Sequence, residues 1–260
     1  MLKPFKCRAS ALGRIMAGKI GLTDTQKTRL KYLVDREELA PSGKCKPLTA
    51  NMVKEKQELE EKSKDKELPE GAKTYCQEWL KQELYGQRIE YSNKYTKKGW
   101  DVEDESIKYL NEEYSKNIIN FENEFLTGAP DIILHDEDMI RDVKNSWDYT
   151  TFPLFEDKLP TKDYWWQGQG YMELAGKEHY SVDYMLMDTP DDDSLTYKHL
   201  GRPLRVKSFP FERDRDCMKE VQERVHLCRE YIHSLVTVEM LEAMSDRPSD
   251  ISTYGESIEI

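Results

Sequence analysis

Residues 128–144 read GAPDIILHDEDMIRDVK. Pro130-Asp131 leads into a short apolar run, Ile132 to Leu134. An acidic turn follows, and a second run ends Asp142-Val143-Lys144. Two apolar runs around a polar turn predict a β-hairpin. Side chains alternate along a strand, so Asp142 and Lys144 share one face of the second strand. Two carboxylates beside an ammonium are one way to hold a hard divalent cation and place a water next to it. Asp136, Glu137 and Asp138 fall at the far end of both strands and read as a solvated loop.

The flanking pattern alternates helix and strand. Before the hairpin, a helix is predicted over 97–114 with Val102, Ile107 and Leu110 inward, then a strand over 120–126. Glu103 falls on the apolar side of that helix, since Glu103, Ile107 and Leu110 are spaced i, i+4, i+7. After strands over 131–134 and 139–147 come a helix over 161–175 closed by Gly176, a strand over 179–187 and a short strand over 204–209. One long amphipathic helix, or two in sequence, covers 213–244, with Val221, Val225, Cys228, Ile232 and Leu235 as its stripe. This order predicts an α/β core with a central mixed sheet flanked by helices.

Residues 1–95 read as a helical segment of the same domain. Helices are predicted over 7–19, over 25–40 with Thr23 or Asp24 as cap, and over 72–85. Residues 53–71 are almost all charged or polar; the readings are a solvated helix or a flexible arm. The core with its helical cover spans 96–245, and 246–260 is a polar tail.

The chain has 260 residues, 38% hydrophobic and 34% charged, with a net charge of −11. That balance counts against a protein that coats nucleic acid through a broadly positive surface. It leaves room for a nuclease, which needs carboxylates for metal and only a local basic groove for DNA. No apolar run approaches the roughly 20 residues of a membrane span, and the first residues lack a signal peptide's apolar stretch. A cytoplasmic protein is expected. The five cysteines are scattered without a C-x-x-C pair, which speaks against a disulfide framework or a zinc ribbon.

Glu103, Asp131 and Asp142 are oxygen ligands suited to magnesium or manganese, and the Val143 carbonyl could complete the shell. Lys144 could orient a water, lower its pKa or stabilise developing negative charge. Gln167 and Tyr171 are four residues apart and share a helical face, while Gln169 lies on another. The plain alternative makes the aromatic residues core and the glutamines hydrogen-bonded fillers.

Taken together, Gly99-x-x-x-Glu103, Gly128-Ala129-Pro130-Asp131, Asp142-Val143-Lys144 and Gln167-Gly168-Gln169-Gly170-Tyr171 resemble the PD-(D/E)XK nuclease superfamily. Their order and spacing are similar to the branch holding lambda exonuclease, the YqaJ-type viral recombinases and the RecB-like nuclease domains. The resemblance implies a restriction-endonuclease-like core. It implies metal held by Asp131 and Asp142, Lys144 as catalytic lysine, and Glu103 as the first acidic motif. Asp142 stands where many relatives carry glutamate. Gln167-x-x-x-Tyr171 is similar to the RecB-like QxxxY motif, and Gln167-x-Gln169 to the phage version; these residues would act on substrate or orient the site. Arg8-Ala9-Ser10 is similar to the motif by which lambda-type enzymes hold a 5′ phosphate at a helix start; read alone, Ser10 is a helix cap.

The resemblance further implies resection of duplex DNA from 5′ to 3′, a single-strand annealing protein as partner, and a homo-oligomer among the allowed assemblies. The iron–sulfur cluster of CRISPR-associated relatives is not expected, because only Cys217 and Cys228 lie late in the chain. A structure-selective or restriction-like endonuclease on the same core, and a non-catalytic DNA- or protein-binding module, are the alternatives.

Overall fold

The structure is a computed structural model that describes residues 2–64, 66–88, 93–190 and 192–245. The polar tail 246–260 lies outside the described residues. The elements in chain order are β1 (Cys7–Arg8), α1 (Leu12–Met16), α2 (Asp24–Leu39), α3 (Ala50–Ser63), α4 (Glu70–Tyr85), α5 (Lys94–Asp101), α6 (Glu103–Leu110), β2 (Phe121–Glu122), β3 (Leu126–Gly128), β4 (Ile132–Leu134), β5 (Met139–Asn145), α7 (Lys162–Ala175), β6 (His179–Met185), β7 (Val206–Glu212), α8 (Cys217–Leu235) and α9 (Val238–Ser245).

The predicted hairpin forms as β4 and β5, paired antiparallel from Ile132↔Arg141 to Leu134↔Met139. Asp138 takes the left-handed conformation at its turn, with φ of 52°. The parallel partner of β5 is β6, reached by the crossover through α7, with Asp142 opposite Val182. Antiparallel β7 completes a mixed sheet ordered β4-β5-β6-β7. The mixed α/β architecture is therefore the one the alternating pattern predicted.

Helix α7 lies on the face of this sheet that carries Ile140, Asp142, Tyr180 and Val182. Thr161 caps its start by accepting from the Asp163 N–H, and Gly176 ends it with φ of 64°. The helix can sit this close because Gly168 has no side chain: a Cβ there would come within 2.5 Å of the Phe211 ring and 2.8 Å of Tyr180. A second cluster joins Val102, Ile107 and Leu110 to Ile132, Val143 and Met185 on the sheet's other face. Full burial of one such aliphatic side chain contributes about 1.5–3 kcal/mol.

The N-terminal segment departs from the expected helices in one informative place. Instead of a helix over 7–19, Cys7 and Arg8 form a strand parallel to β3, with Cys7 opposite Leu126. A 3-10 turn over Ala9–Ala11 then leads into the short α1. The strand wins because Cys7 is fully buried between core helices, and its N–H donates to the Phe125 carbonyl at 2.9 Å. Helix α2 is capped as expected: Thr23 and Gln26 form a reciprocal capping box. The charged stretch after it is helical over α3. It packs back on α2 through Leu59 against Leu22 and Leu33, with Arg29 gripping both oxygens of Glu55.

The helix expected over 97–114 is two helices, α5 and α6, broken at Val102, whose φ and ψ are −108° and 5°. At the other end the amphipathic stretch is also two helices, α8 and α9. The guanidinium of Arg224 on α8, itself buried, donates to the Ile15 carbonyl and, at 3.1 Å, to the Gly18 carbonyl. That supplies partners for backbone oxygens that the end of α1 leaves unpaired.

Candidate active site

Asp131 and Asp142 come together because the hairpin brings them there. Asp131 directly precedes β4 and accepts the Val143 N–H through Oδ2 at 2.8 Å. A residue's N–H and C=O point to the same side of a strand. The Val143 carbonyl therefore points to the edge where Asp131 sits, beyond the end of β4. Asp142 is 1% exposed and projects from the opposite face, towards α7. There Gln167 Nε2 donates to Asp142 Oδ1 at 2.7 Å. Lys144 Nζ stands 2.6 Å from Asp142 Oδ2, which confirms that the two share a face. The ammonium also lies 5.1 Å from the centre of the Tyr164 ring.

Burial and mutual repulsion set the charge state of this pair. Burial, and then the neighbouring Asp142 charge, push Asp131 up from an ordinary 3.8 to about 7. Asp142 is also raised by burial, against the pull of Lys144. For Lys144, burial opposes the charge, yet Asp142 and Asp131 outweigh it and hold the ammonium above its ordinary range. Asp142 Oδ2 is buried with the Lys144 ammonium as its partner, and the Tyr180 hydroxyl also reaches this carboxylate.

Two crowded carboxylates, both raised by burial, are what a divalent cation would relieve. Magnesium commonly takes only one or two protein carboxylates and fills the rest of its shell with water and substrate phosphate. Asp131, Asp142 and the Val143 carbonyl fit that demand. Glu103 is placed differently. The break at Val102 makes it the first residue of α6, close enough to raise the Asp131 pKa, but its Oε2 pairs with Lys116 Nζ at 2.5 Å. Among the described residues, no three His, Cys, Asp or Glu side chains converge as a ready metal cluster. Glu103 therefore stands beside the aspartate pair and is not joined to it.

The remaining expected residues separate into two places. Tyr171 is 6% exposed, and its hydroxyl, pushed up chiefly by burial, lies within the fields of Asp142, Asp131, Lys144 and Arg8. Its ring fits because residue 128 is glycine: a Cβ there would stand 2.7 Å from it. Gln169 is not brought to the site. It is fully buried on another face of α7, donating to the Glu212 carbonyl at 3.0 Å and accepting the Asp214 N–H at 2.7 Å. It ties the helix to the β7–α8 junction, the filler role open to it from the start.

Arg8 and Ser10 line an open pocket of about 560 Å³ with Lys6, Arg14, Tyr75 and Thr127. Ser10 does not cap a helix, because it sits inside the 3-10 turn and no side chain caps α1. Arg14 is already held by a bidentate pair with Glu78, at 2.8 and 3.0 Å. β3 connects this pocket to the aspartate pair: Thr127 lines the pocket, and the next residue, Gly128, lies under Tyr171.

Sequence reasoning missed Lys116, which bears no motif, and Tyr180, which the alternation of β6 placed only as a buried strand residue. Tyr180 is fully buried with its hydroxyl against Asp142, and burial raises its pKa. It also missed the Arg141–Asp183 bidentate pair, at 2.8 and 2.7 Å, which stiffens the sheet next to Asp142. Cross-strand partners were the absent signal, since the β5–β6 register follows from the crossover and not from local pattern.

Two solved exonucleases share this architecture over nearly the whole chain. A phage-related exonuclease from Haemophilus somnus 129PT superposes with a TM-score of 0.65 at 25% identity, covering 90% of this chain and 96% of that one. The fold is that of the phage-type exonucleases. The alkaline exonuclease LHK-Exo from Laribacter hongkongensis shares it with a TM-score of 0.54 at 15% identity, over 92% of this chain and 93% of its own. LHK-Exo in complex with dAMP matches at 0.54 and 16%. No protein-family model and no curated protein sequence matches the chain. The phage-type exonuclease fold is a restriction-endonuclease-like one, and the neighbours agree with the branch of the PD-(D/E)XK superfamily that the motifs resemble. No helix among the described residues is long and apolar enough to cross a membrane.

Proposed function

We propose that the protein is a metal-dependent deoxyribonuclease that hydrolyses duplex DNA from its ends, from 5′ to 3′, and releases 5′-phosphorylated products. The observation that carries this reading is half-buried Asp131 beside buried Asp142, with Lys144 on the same strand as Asp142 and Gln167 bonded to it, set in the fold of the phage-type exonucleases. Asp131, Asp142 and the Val143 carbonyl would hold magnesium or manganese, with Glu103 as an added ligand if it leaves Lys116. A metal bound there would make water a nucleophile at neutral pH and neutralise charge on the scissile phosphate.

The chain's own residues supply the rest. Gln167 fixes one oxygen of Asp142 and leaves the other facing Lys144. Lys144, kept as an ammonium, can donate to the attacking water or to a phosphate oxygen and stabilise the charge that builds up there. Tyr171 lines the same space. Water attacks phosphorus and the 3′ oxygen leaves, so the product end carries the 5′ phosphate. Arg8 and Ser10, in the pocket across β3, would bind the 5′ phosphate of the trimmed strand and set the polarity. DNA is the proposed partner; the annealing protein and a homo-oligomer remain implications of the resemblance.

Digestion of end-labelled linear and closed circular duplexes with magnesium, with and without a 5′ phosphate, tests the reading. Linear DNA should be degraded from the 5′ end and the circle left intact. A cut circle would make the protein an endonuclease, and tight DNA binding without metal binding or cleavage would make it a non-catalytic module.

A further inference from the structure

Lys116 is the cation at the mouth of the site for which the motifs give no role. It lies in the irregular stretch between α6 and β2, yet its position is fixed. Its neighbour Asn117 donates its backbone N–H to the Asp131 carbonyl at 2.7 Å and its side-chain amide to the Pro130 carbonyl at 2.9 Å. The same amide donates to the Ile119 carbonyl at 2.9 Å, and its oxygen accepts the Ile119 N–H at 3.1 Å, which closes the turn. Lys116 is thereby clamped to the Pro130-Asp131 motif from the outside. Its ammonium meets Glu103 at 2.5 Å and also lies in the fields of Asp104 and Asp131.

Two facts make this contact more than a surface pair. It engages the one motif carboxylate that stands apart from the aspartate pair. It is also half open: the Lys116 side chain is 46% exposed and Glu103 19%. An ion pair this exposed is weak, so it can exchange readily for a stronger partner. A divalent cation between Asp131 and Asp142 would attract Glu103 and repel Lys116. A phosphodiester arriving at the same edge offers the displaced ammonium a new anion.

We propose that Lys116 is an exchangeable counter-ion of the active site: it holds Glu103 before metal binds, and moves to a backbone phosphate of the DNA when Glu103 turns to the metal. Lys116 is then a substrate-binding residue in the loaded site and a restraint on Glu103 in the empty one. This rests on the nuclease reading above. It adds a second active-site lysine, on the opposite flank of the aspartate pair from Lys144.

The test uses the full chain and two readouts that do not need turnover. Calorimetric titration with manganese alone, without DNA, should show Lys116→Ala binding about three-fold tighter than wild type, since Glu103 no longer has to leave a partner. Glu103→Gln should remove this gain, so that the double variant binds like Glu103→Gln alone. Binding of a 5′-phosphorylated duplex, followed by fluorescence anisotropy in calcium, should weaken in Lys116→Ala. Its log–log salt slope should fall by about 0.9, the loss of one phosphate contact. Lys116→Arg should restore the slope. The proposal is overturned if Lys116→Ala binds manganese as wild type does, if the gain survives in the Glu103→Gln background, or if the salt slope is unchanged. If wild type cleaves DNA while any of these holds, only the counter-ion role fails. If wild type binds neither manganese nor DNA, the nuclease reading falls and this role with it.

Discussion

Asp131→Asn should raise the stability of the metal-free protein while abolishing its activity. In the wild-type fold the Asp131 carboxyl is raised from 3.8 to about 7, by burial first and Asp142 second. The folded state therefore binds a proton more tightly than the unfolded state. Stability from this group is intact below about pH 4, is lost progressively as pH rises towards about 7, and stays lost above it. At about 1.4 kcal/mol per pH unit, the cost of ionising Asp131 in the fold is on the order of 4 kcal/mol at pH 8. Asparagine is isosteric and its amide oxygen can still accept the Val143 N–H, but its amide hydrogens are buried without a sure partner. About half of the gain should survive, on the order of 2 kcal/mol. For a chain of this size that is a rise in Tm of about 4–8 °C at pH 8. At pH 5, where wild-type Asp131 is mostly protonated, the two proteins should melt within a degree or two of each other, about the limit of such a comparison. Thermal melts at both pH values, with chelator and with excess manganese, read all of this, and the variant should lose the manganese-induced shift. An Asp131→Asn protein that melts below wild type at pH 8 without metal would refute the account of a repelling pair. A full manganese shift in the variant would refute Asp131 as a ligand.

Two further outcomes follow from the same geometry. Lys144→Ala should lower the rate of DNA hydrolysis by at least about 100-fold, the scale of losing one charge-stabilising donor. It should leave the far-ultraviolet circular dichroism spectrum unchanged; residual activity near wild type would remove Lys144 from the chemistry. Arg8→Ala should raise KM for 5′-phosphorylated duplex by about 10-fold, as expected for one charge-assisted contact, and leave 5′-hydroxyl ends nearly unaffected. Equal effects on both kinds of end in steady-state digestion would show that the pocket does not read the phosphate.

The parts of this fold that were legible in sequence are those set by local pattern. The Pro130-Asp131 turn, the alternation of β5 and the caps of α2 and α7 need only neighbours in the chain. The pairing of Asp142 with Lys144 follows from strand geometry alone, and the structure has it at 2.6 Å. What was not legible depended on distant partners. Nothing within residues 7–19 says that Cys7 will find Leu126, so the apolar stripe Leu12, Ile15 and Met16 stays helical in α1 while Cys7–Arg8 become a strand and Ala9–Ala11 a 3-10 turn. Val102 breaks a helix whose stripe reads as continuous. Gln169 and Gln167 differ by two positions and look alike in composition, but one bonds to Asp142 and the other to the end of β7. Glu103 shows the same limit from the other side: its helical position was readable, and the lysine that holds it was not.

The pairing of β1 with β3 has a consequence for the order of events during synthesis. Arg8 and Ser10 leave the ribosome long before the elements that fix their surroundings. β3 lies more than a hundred residues further on; Arg224 and Arg229 of α8, which clamp Ile15, Gly18 and Phe5, come later still. A nascent chain that has completed the aspartate hairpin already holds every residue that lines the pocket, but not the α8 arginines that clamp its N-terminal wall. The aspartate pair likewise waits for Gln167 of α7, so the pocket and the carboxylate site would both be completed only after α7 and α8 have packed against residues 5–18.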